Sequence, residues 1–155
     1  MLYPIYKPYI SKIEKDLAND CLDSTWISSK GKYIKMFEDK VSKFTGSKYA
    51  VAVSNGTVAL HLALLAHDIG INDEVLLPDF TYIATANSVL YVNAKPVFCD
   101  IQEDTMNIDP CKLEVLITNN TKAVIVVDFA GQPCDYHKIL PIIRKYNLVL
   151  IEDAA

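Results

Sequence analysis

Leu148-Val-Leu-Ile-Glu-Asp-Ala-Ala155 reads as an apolar strand that delivers an acid, Asp153, to its C-terminal end. A strand with apolar residues at successive positions is buried on both faces, which marks a parallel sheet covered by helices. In open sheets of that kind ligands bind just past the carboxyl ends of the strands. A carboxylate placed there is a site candidate.

Working outward, Tyr49-Ala-Val-Ala-Val53, Glu74-Val-Leu-Leu77, Pro96-Val-Phe-Cys99 and Ala123-Val-Ile-Val-Val127 repeat the pattern. Tyr49–Val53 is too uniformly apolar for a half-solvated strand, so burial on both faces is expected there too. Between these runs, Thr57–His67, Tyr82–Tyr91, Pro110–Ile117 and Tyr136–Tyr146 carry apolar residues at helical spacing. Leu60, Ala63, Leu64 and His67 share one side of the first; Ile139, Ile142, Ile143 and Tyr146 share one side of the last. Strand–helix alternation predicts an α/β fold, a mostly parallel sheet with flanking helices. Residues 1–48 differ: a helix around Ile10–Leu22, a loop Asp23–Lys32 and a helix Tyr33–Phe44 capped by Thr45-Gly46. They form an N-terminal helical arm leaning on the α/β unit of residues 49–155.

The chain has 155 residues, 51% of them apolar and 22% charged, as in a globular protein. Net charge is −4, and Lys and Arg are scattered, so no nucleic-acid footprint appears. No apolar run reaches the ~20 residues that span a bilayer. Met1-Leu-Tyr-Pro-Ile-Tyr-Lys-Pro8 lacks the basic-then-apolar layout of a secretory signal. Cys21, Cys99, Cys111 and Cys134 form no CxxC pair, and the three histidines do not cluster with them. The expectation is four reduced thiols, at least two buried, no metal, and a cytoplasmic setting.

Three segments carry chemistry. Ser54-Asn-Gly-Thr57 sits where a buried strand turns into a helix. Helix N-termini present unpaired amides and the positive end of the dipole, which suits a phosphate. Gly56 would let the backbone approach closely, and the Thr57 hydroxyl could cap the helix or donate to an oxyanion; a plain turn with an N-cap gives the same letters. Tyr82 follows the strand Glu74–Leu77 and opens the next helix, where it could stack on a planar ring or pack in the core. Asp153 could cap a turn or pair with a cationic partner such as a pyridinium N–H, which would hold that ring protonated.

Together with Trp26-Ile-Ser-Ser-Lys-Gly-Lys-Tyr33, Phe37-Glu38, Asp73-Glu-Val75, Thr81-Tyr-Ile-Ala-Thr-Ala-Asn87, Ala94-Lys-Pro-Val-Phe98, Asn107-Ile-Asp109 and Gly131-Gln-Pro133, these segments resemble the DegT/DnrJ/EryC1/StrS family. These are sugar aminotransferases that use pyridoxal 5'-phosphate (PLP), and the resemblance covers nearly the whole chain. Trp26–Tyr33 looks most like the subgroup that makes perosamine-type 4-amino-4,6-dideoxy sugars.

The resemblance implies a fold-type I aminotransferase large domain, of which residues 49–155 would be the first part, truncated. It implies a homodimer with active sites at the subunit interface. By position, Gly56 and Thr57 would bind the PLP phosphate, Tyr82 would stack on the pyridine ring, Asp153 would pair with its nitrogen, and Ala155 would pack on the other face. The implied reaction moves an amino group from glutamate, through pyridoxamine 5'-phosphate, to a nucleotide-linked 4-keto-6-deoxy sugar. Asp128 stands where the family often has His, so no role carries over to it. The family's Schiff-base lysine falls beyond Ala155, so no catalytic residue is assigned within the chain, and residues 1–155 alone are expected to be inactive. A related branch with His in place of that lysine is a nucleotide-sugar dehydratase; that activity, or an inactive truncated fragment, is the alternative.

Overall fold

The computed structural model describes residues 7–155, in two compact units that divide between Ala52 and Val53. The first unit holds helices α1 (Lys12–Asp23) and α2 (Lys32–Thr45). A capping box starts α1: Ser11 Oγ accepts from Ile13 N at 3.1 Å, and Glu14 Oε2 accepts from Ser11 N at 2.7 Å. The start of α2 is tied to the end of α1 through Asp20, whose Oδ2 accepts from Tyr33 Oη at 2.9 Å and meets Lys32 Nζ at 2.6 Å. Gly46 closes α2 with φ of +73°, the left-handed cap that its sequence foretells.

The second unit is an α/β layer structure. Its strands are β1 (Glu74–Pro78), β2 (Lys95–Cys99), β3 (Thr121–Val127) and β4 (Val149–Asp153), in the order β2-β1-β3-β4, every pair parallel. Helices α3 (Gly56–Ala66), α4 (Ile83–Tyr91), α5 (Pro110–Leu113) and α6 (Tyr136–Tyr146) connect or flank them. Alternate residues of the inner strands feed two separate cores. Val75, Leu77, Ala123 and Ile125 pack with Leu60 and Leu64 of α3 and Val89 of α4. Leu76, Val124 and Val126 pack with Leu113 of α5 and Ile139 and Ile143 of α6. Burial from both sides is why Val75–Leu77 of β1 and Ala123–Val127 of β3 are apolar at successive positions rather than every second one. β2 lies at the sheet edge and accommodates Pro96 there.

Two expectations are corrected. Tyr49–Val53 is not a strand, and Tyr49 and Val51 are exposed rather than buried. A β-prone run becomes a strand only when a neighbour's backbone pairs with it, and among the described residues none does. Pro110–Ile117 is not one helix: α5 runs four residues and a single 3₁₀ turn, Glu114–Leu116, follows. Asp109 and Pro110 supply the expected start, but the Ile117 N–H bonds Glu114 O and ends the turn.

Candidate active-site cleft

The carboxyl ends of β1, β3 and β4 and the N-terminus of α3 surround one cleft of about 510 Å³. Gly56, Thr57, Thr81, Tyr82, Phe129, Asp153 and Ala155 are among the residues that line it. All five site residues expected from sequence thus fall in one place, although they span about a hundred residues of chain.

At the start of α3, Asn55 Oδ1 accepts from Val58 N at 3.0 Å and Asn55 O accepts from Ala59 N at 3.1 Å. The cap is therefore Asn55, not Thr57. That leaves the Gly56 and Thr57 amides without acceptors among the described residues, and no described side chain engages the Thr57 hydroxyl. Three donors at the positive end of a helix dipole can hold an anion. The conformation of the chain does not itself demand glycine at 56. A Cβ there would meet only Ala155 Cβ, at 4.0 Å, in the cleft between them. What glycine supplies is room for a group held against the helix end.

Tyr82 is the N-cap residue of α4, with extended backbone and no side-chain capping bond. It is 80% exposed, so the core-packed alternative fails and its ring stands open at the cleft. Asp153 ends β4 half-buried. Its Oδ2 accepts from Thr85 Oγ1 at 3.1 Å and its Oδ1 from Ala155 N at 3.3 Å. An ionised carboxylate has about four acceptor positions, so these two bonds leave capacity for a further donor.

The turn after β3 forms the remaining wall, and sequence reasoning assigned it nothing. Asp128 N donates to Asp153 O at 3.1 Å, while Asp128 Oδ1 accepts from Cys134 N at 2.9 Å and Tyr136 Oη at 3.1 Å. Buried Asn107 clamps the same turn: its Oδ1 accepts from Phe129 N at 3.1 Å and its Nδ2 donates to Gln132 O at 2.8 Å. Ala130, between the clamped residues, has φ of +52°, a left-handed conformation costly for a residue with a Cβ. Phe129 packs at a tilt on Phe80, ring centroids 4.8 Å apart, which joins this turn to the loop after β1. Burial, followed by the charges of Glu152 and Asp128, raises the Tyr136 phenol, so it stays a proton donor to Asp128. The sequence signal available was Asn107-Ile-Asp109 as one of the stretches that carry the family resemblance, and its polar surroundings, Gln102–Thr105, gave no sign that Asn107 is buried. Among the described residues no group of three metal-type ligands occurs.

Residues 8–155 match the DegT/DnrJ/EryC1/StrS aminotransferase family. The GDP-perosamine synthase of Escherichia coli O157:H7 is 48% identical over 152 residues, covering 98% of this chain and 42% of its own length. A putative sugar aminotransferase of Streptococcus pneumoniae, Spr1654, in its PMP form, superposes with a TM-score of 0.93 at 33% identity, covering 99% of this chain and 42% of that one. The E. coli GDP-4-keto-6-deoxy-D-mannose-3-dehydratase with bound hydrated PLP gives 0.91 at 30%, over 99% and 41%. The chain spans about two fifths of the length of the curated relatives it matches. With this match along its length, and an anion-ready helix end, an open aromatic ring and a strand-end carboxylate about one cleft, the chain belongs to the DegT/DnrJ/EryC1/StrS aminotransferase family.

Proposed function

We propose that this chain supplies the cofactor cleft of a PLP-dependent nucleotide-sugar aminotransferase, one that moves an amino group from glutamate to a nucleotide-linked 4-keto-6-deoxy sugar of the perosamine type. The observation that carries the reading is the convergence of Thr57, Tyr82 and Asp153 on one cleft with complementary chemistry. The residues fit the group. The Gly56 and Thr57 amides and the Thr57 hydroxyl would hold the phosphate. Tyr82 would cover the ring, and Ala155 is small enough to lie against it. Asp153 would keep a proton on the pyridine nitrogen. The chemistry the cofactor supplies when bound is an electron-accepting ring that carries the amino group. The 48% identity to a GDP-perosamine synthase supports a GDP-linked sugar and amination rather than dehydration. A homodimer acting in the cytoplasm accords with this reading, and four unpaired cysteines suit a reducing compartment.

The test uses protein expressed from the natural reading frame. Incubated with PLP, glutamate and GDP-4-keto-6-deoxymannose, it should yield a GDP-linked amino sugar by mass spectrometry. A 3-deoxy product would instead assign it to the dehydratases. Failure of pyridoxamine phosphate to bind, with Asp153→Asn and Thr57→Val indistinguishable from the parent in calorimetry, would overturn the cofactor assignment altogether.

A further inference from the structure

Thr85 is fully buried in the first turns of α4, yet its side chain bears a hydroxyl. A buried hydroxyl is costly unless its bonds are made. Thr85 makes two: Oγ1 donates to Asp153 Oδ2 at 3.1 Å and lies 3.1 Å from Thr81 Oγ1. A threonine hydroxyl has one proton. Since the Thr85 proton goes to Asp153, the bond to Thr81 must run the other way, with Thr81 donating. The result is a directional chain, Thr81 to Thr85 to Asp153, that ends on a carboxylate oxygen.

The chain also joins two walls of the cleft. Thr81 lines the cleft beside Tyr82, and Asp153 lines it from the end of β4. Thr85 lies three residues beyond Tyr82, close to one helical turn, so the helix that presents the exposed ring presents the buried hydroxyl to the sheet. The backbone carbonyl of Thr85 is engaged separately, accepting from Ser88 Oγ at 2.7 Å, and that bond does not depend on the hydroxyl. Valine at 85 would keep the shape and bring no polar group of its own to bury; what it would remove is the donor to Asp153 and the acceptor for Thr81.

We propose that Thr85, polarised by Thr81, is a positioning residue that fixes the rotation of the Asp153 carboxylate, so that its remaining acceptor capacity faces a protonated heteroaromatic nitrogen. The inference rests on the assignment of Asp153 to the pyridine nitrogen of the cofactor. Thr85 touches no ligand; it acts through Asp153. The Asp153 carboxylate is held on Oδ2 by the buried Thr85 hydroxyl and, at an exposed and longer 3.3 Å, on Oδ1 by the Ala155 N–H. So held, it meets an incoming N–H in a single orientation, whereas a free one must be ordered on binding.

Pyridoxamine phosphate labelled with ¹⁵N in the ring tests this in protein from the natural reading frame, by calorimetry and by the ring-nitrogen chemical shift. Thr85→Val should bind about tenfold more weakly, as expected for one hydrogen bond to a charged group. Its ring resonance should move toward that of unprotonated pyridine. Thr85→Ser restores the hydroxyl and should return both readouts to within about twofold of the parent, and Thr81→Val should weaken binding by about threefold. Asp153→Asn separates the layers. If it leaves affinity and resonance unchanged, the pyridine assignment itself falls. If it shifts both while Thr85→Val matches the parent, the assignment stands and the positioning role is overturned. Should Thr85→Val lose the parent far-ultraviolet circular dichroism, Thr81→Val decides: weakened binding supports the chain, and parental binding overturns it.

Discussion

Asn107 spends its whole side-chain amide on the backbone of a turn that begins more than twenty residues later, bonding Phe129 N and Gln132 O. Removing it takes the partner from the N–H of half-buried Phe129 and from the carbonyl of exposed Gln132, which water can replace only in part. Asn107→Ala should therefore destabilise the protein by about 1–2 kcal/mol in urea unfolding. It should also loosen the wall that holds Ala130 in its left-handed conformation, and so weaken pyridoxamine phosphate binding. Unchanged binding would show that the turn is shaped without this clamp. The cysteines make a second residue-scale case. Burial pushes the Cys99 and Cys134 thiols up to about 12, whereas Cys111 is exposed. Thiolate is the reactive form. At pH 8, Ellman's reagent should modify exposed Cys111 fastest and half-exposed Cys21 more slowly in the native protein, and reach Cys99 and Cys134 only after denaturation; Cys111→Ser should remove the fast phase. Gly56, Thr57, Tyr82 and Asp153 were legible in the sequence because each sits at a strand end or helix start, a position local pattern can locate. Thr85 and Asn107 were not, because their partners are distant in sequence, 68 residues away for the Thr85–Asp153 bond.

Among the elements, those with both a periodic core face and a chemical stop signal were read closely. Tyr136–Tyr146 is α6 to the residue, with Asp135 accepting from Lys138 N at its start and Asn147 in the left-handed conformation at its end. The end of α2 is a stricter test of capping. Gly46 has φ of +73° and no neighbour within 4 Å of an added Cβ, so any penalty there comes from backbone conformation alone. Gly46→Ala should cost about 1 kcal/mol in thermal or urea unfolding. A neutral result would mean that the helix end shifts without resistance. Where pattern failed, it failed for want of partners. Tyr49–Val53 has strand composition, but strand identity is a property of a pair, and single-sequence pattern cannot supply the second member. The order β2-β1-β3-β4 was equally hidden: alternation of strands and helices fixes their parallel direction, not which strand lies beside which.

At the scale of the whole molecule, charge pairs set how stability depends on pH. Lys95, then Thr118, hold the Glu74 carboxyl below its ordinary value, with contacts of 2.8 and 2.6 Å. Ser11 lowers Glu14, Lys32 and then Tyr33 lower Asp20, Lys145 and then Tyr146 lower Glu114, and Lys138 lowers Asp135. A depressed carboxyl releases its proton more readily when folded, so its contribution is complete above the unfolded value and lost as pH falls through the folded one. The acid limb should therefore begin near pH 4.5, the ordinary value for glutamate, and steepen below it. On the basic side, buried Cys99 and Cys134 resist ionisation up to about 12, while the same thiols exposed by unfolding ionise from 9.0. That contribution is complete below 9 and is lost as pH rises toward 12. Raised lysines such as Lys32 and Lys145 act in the same direction, beginning near 10.5. Urea midpoints should then form a plateau between about pH 6 and 8.5, with both limbs falling away. Glu74→Gln should shallow the acid limb and leave the basic one intact; Cys134→Ser should do the reverse. An acid limb of unchanged slope in Glu74→Gln would show that the Glu74 contacts with Lys95 and Thr118 add nothing beyond solvation, and would leave the other four carboxyls to account for it.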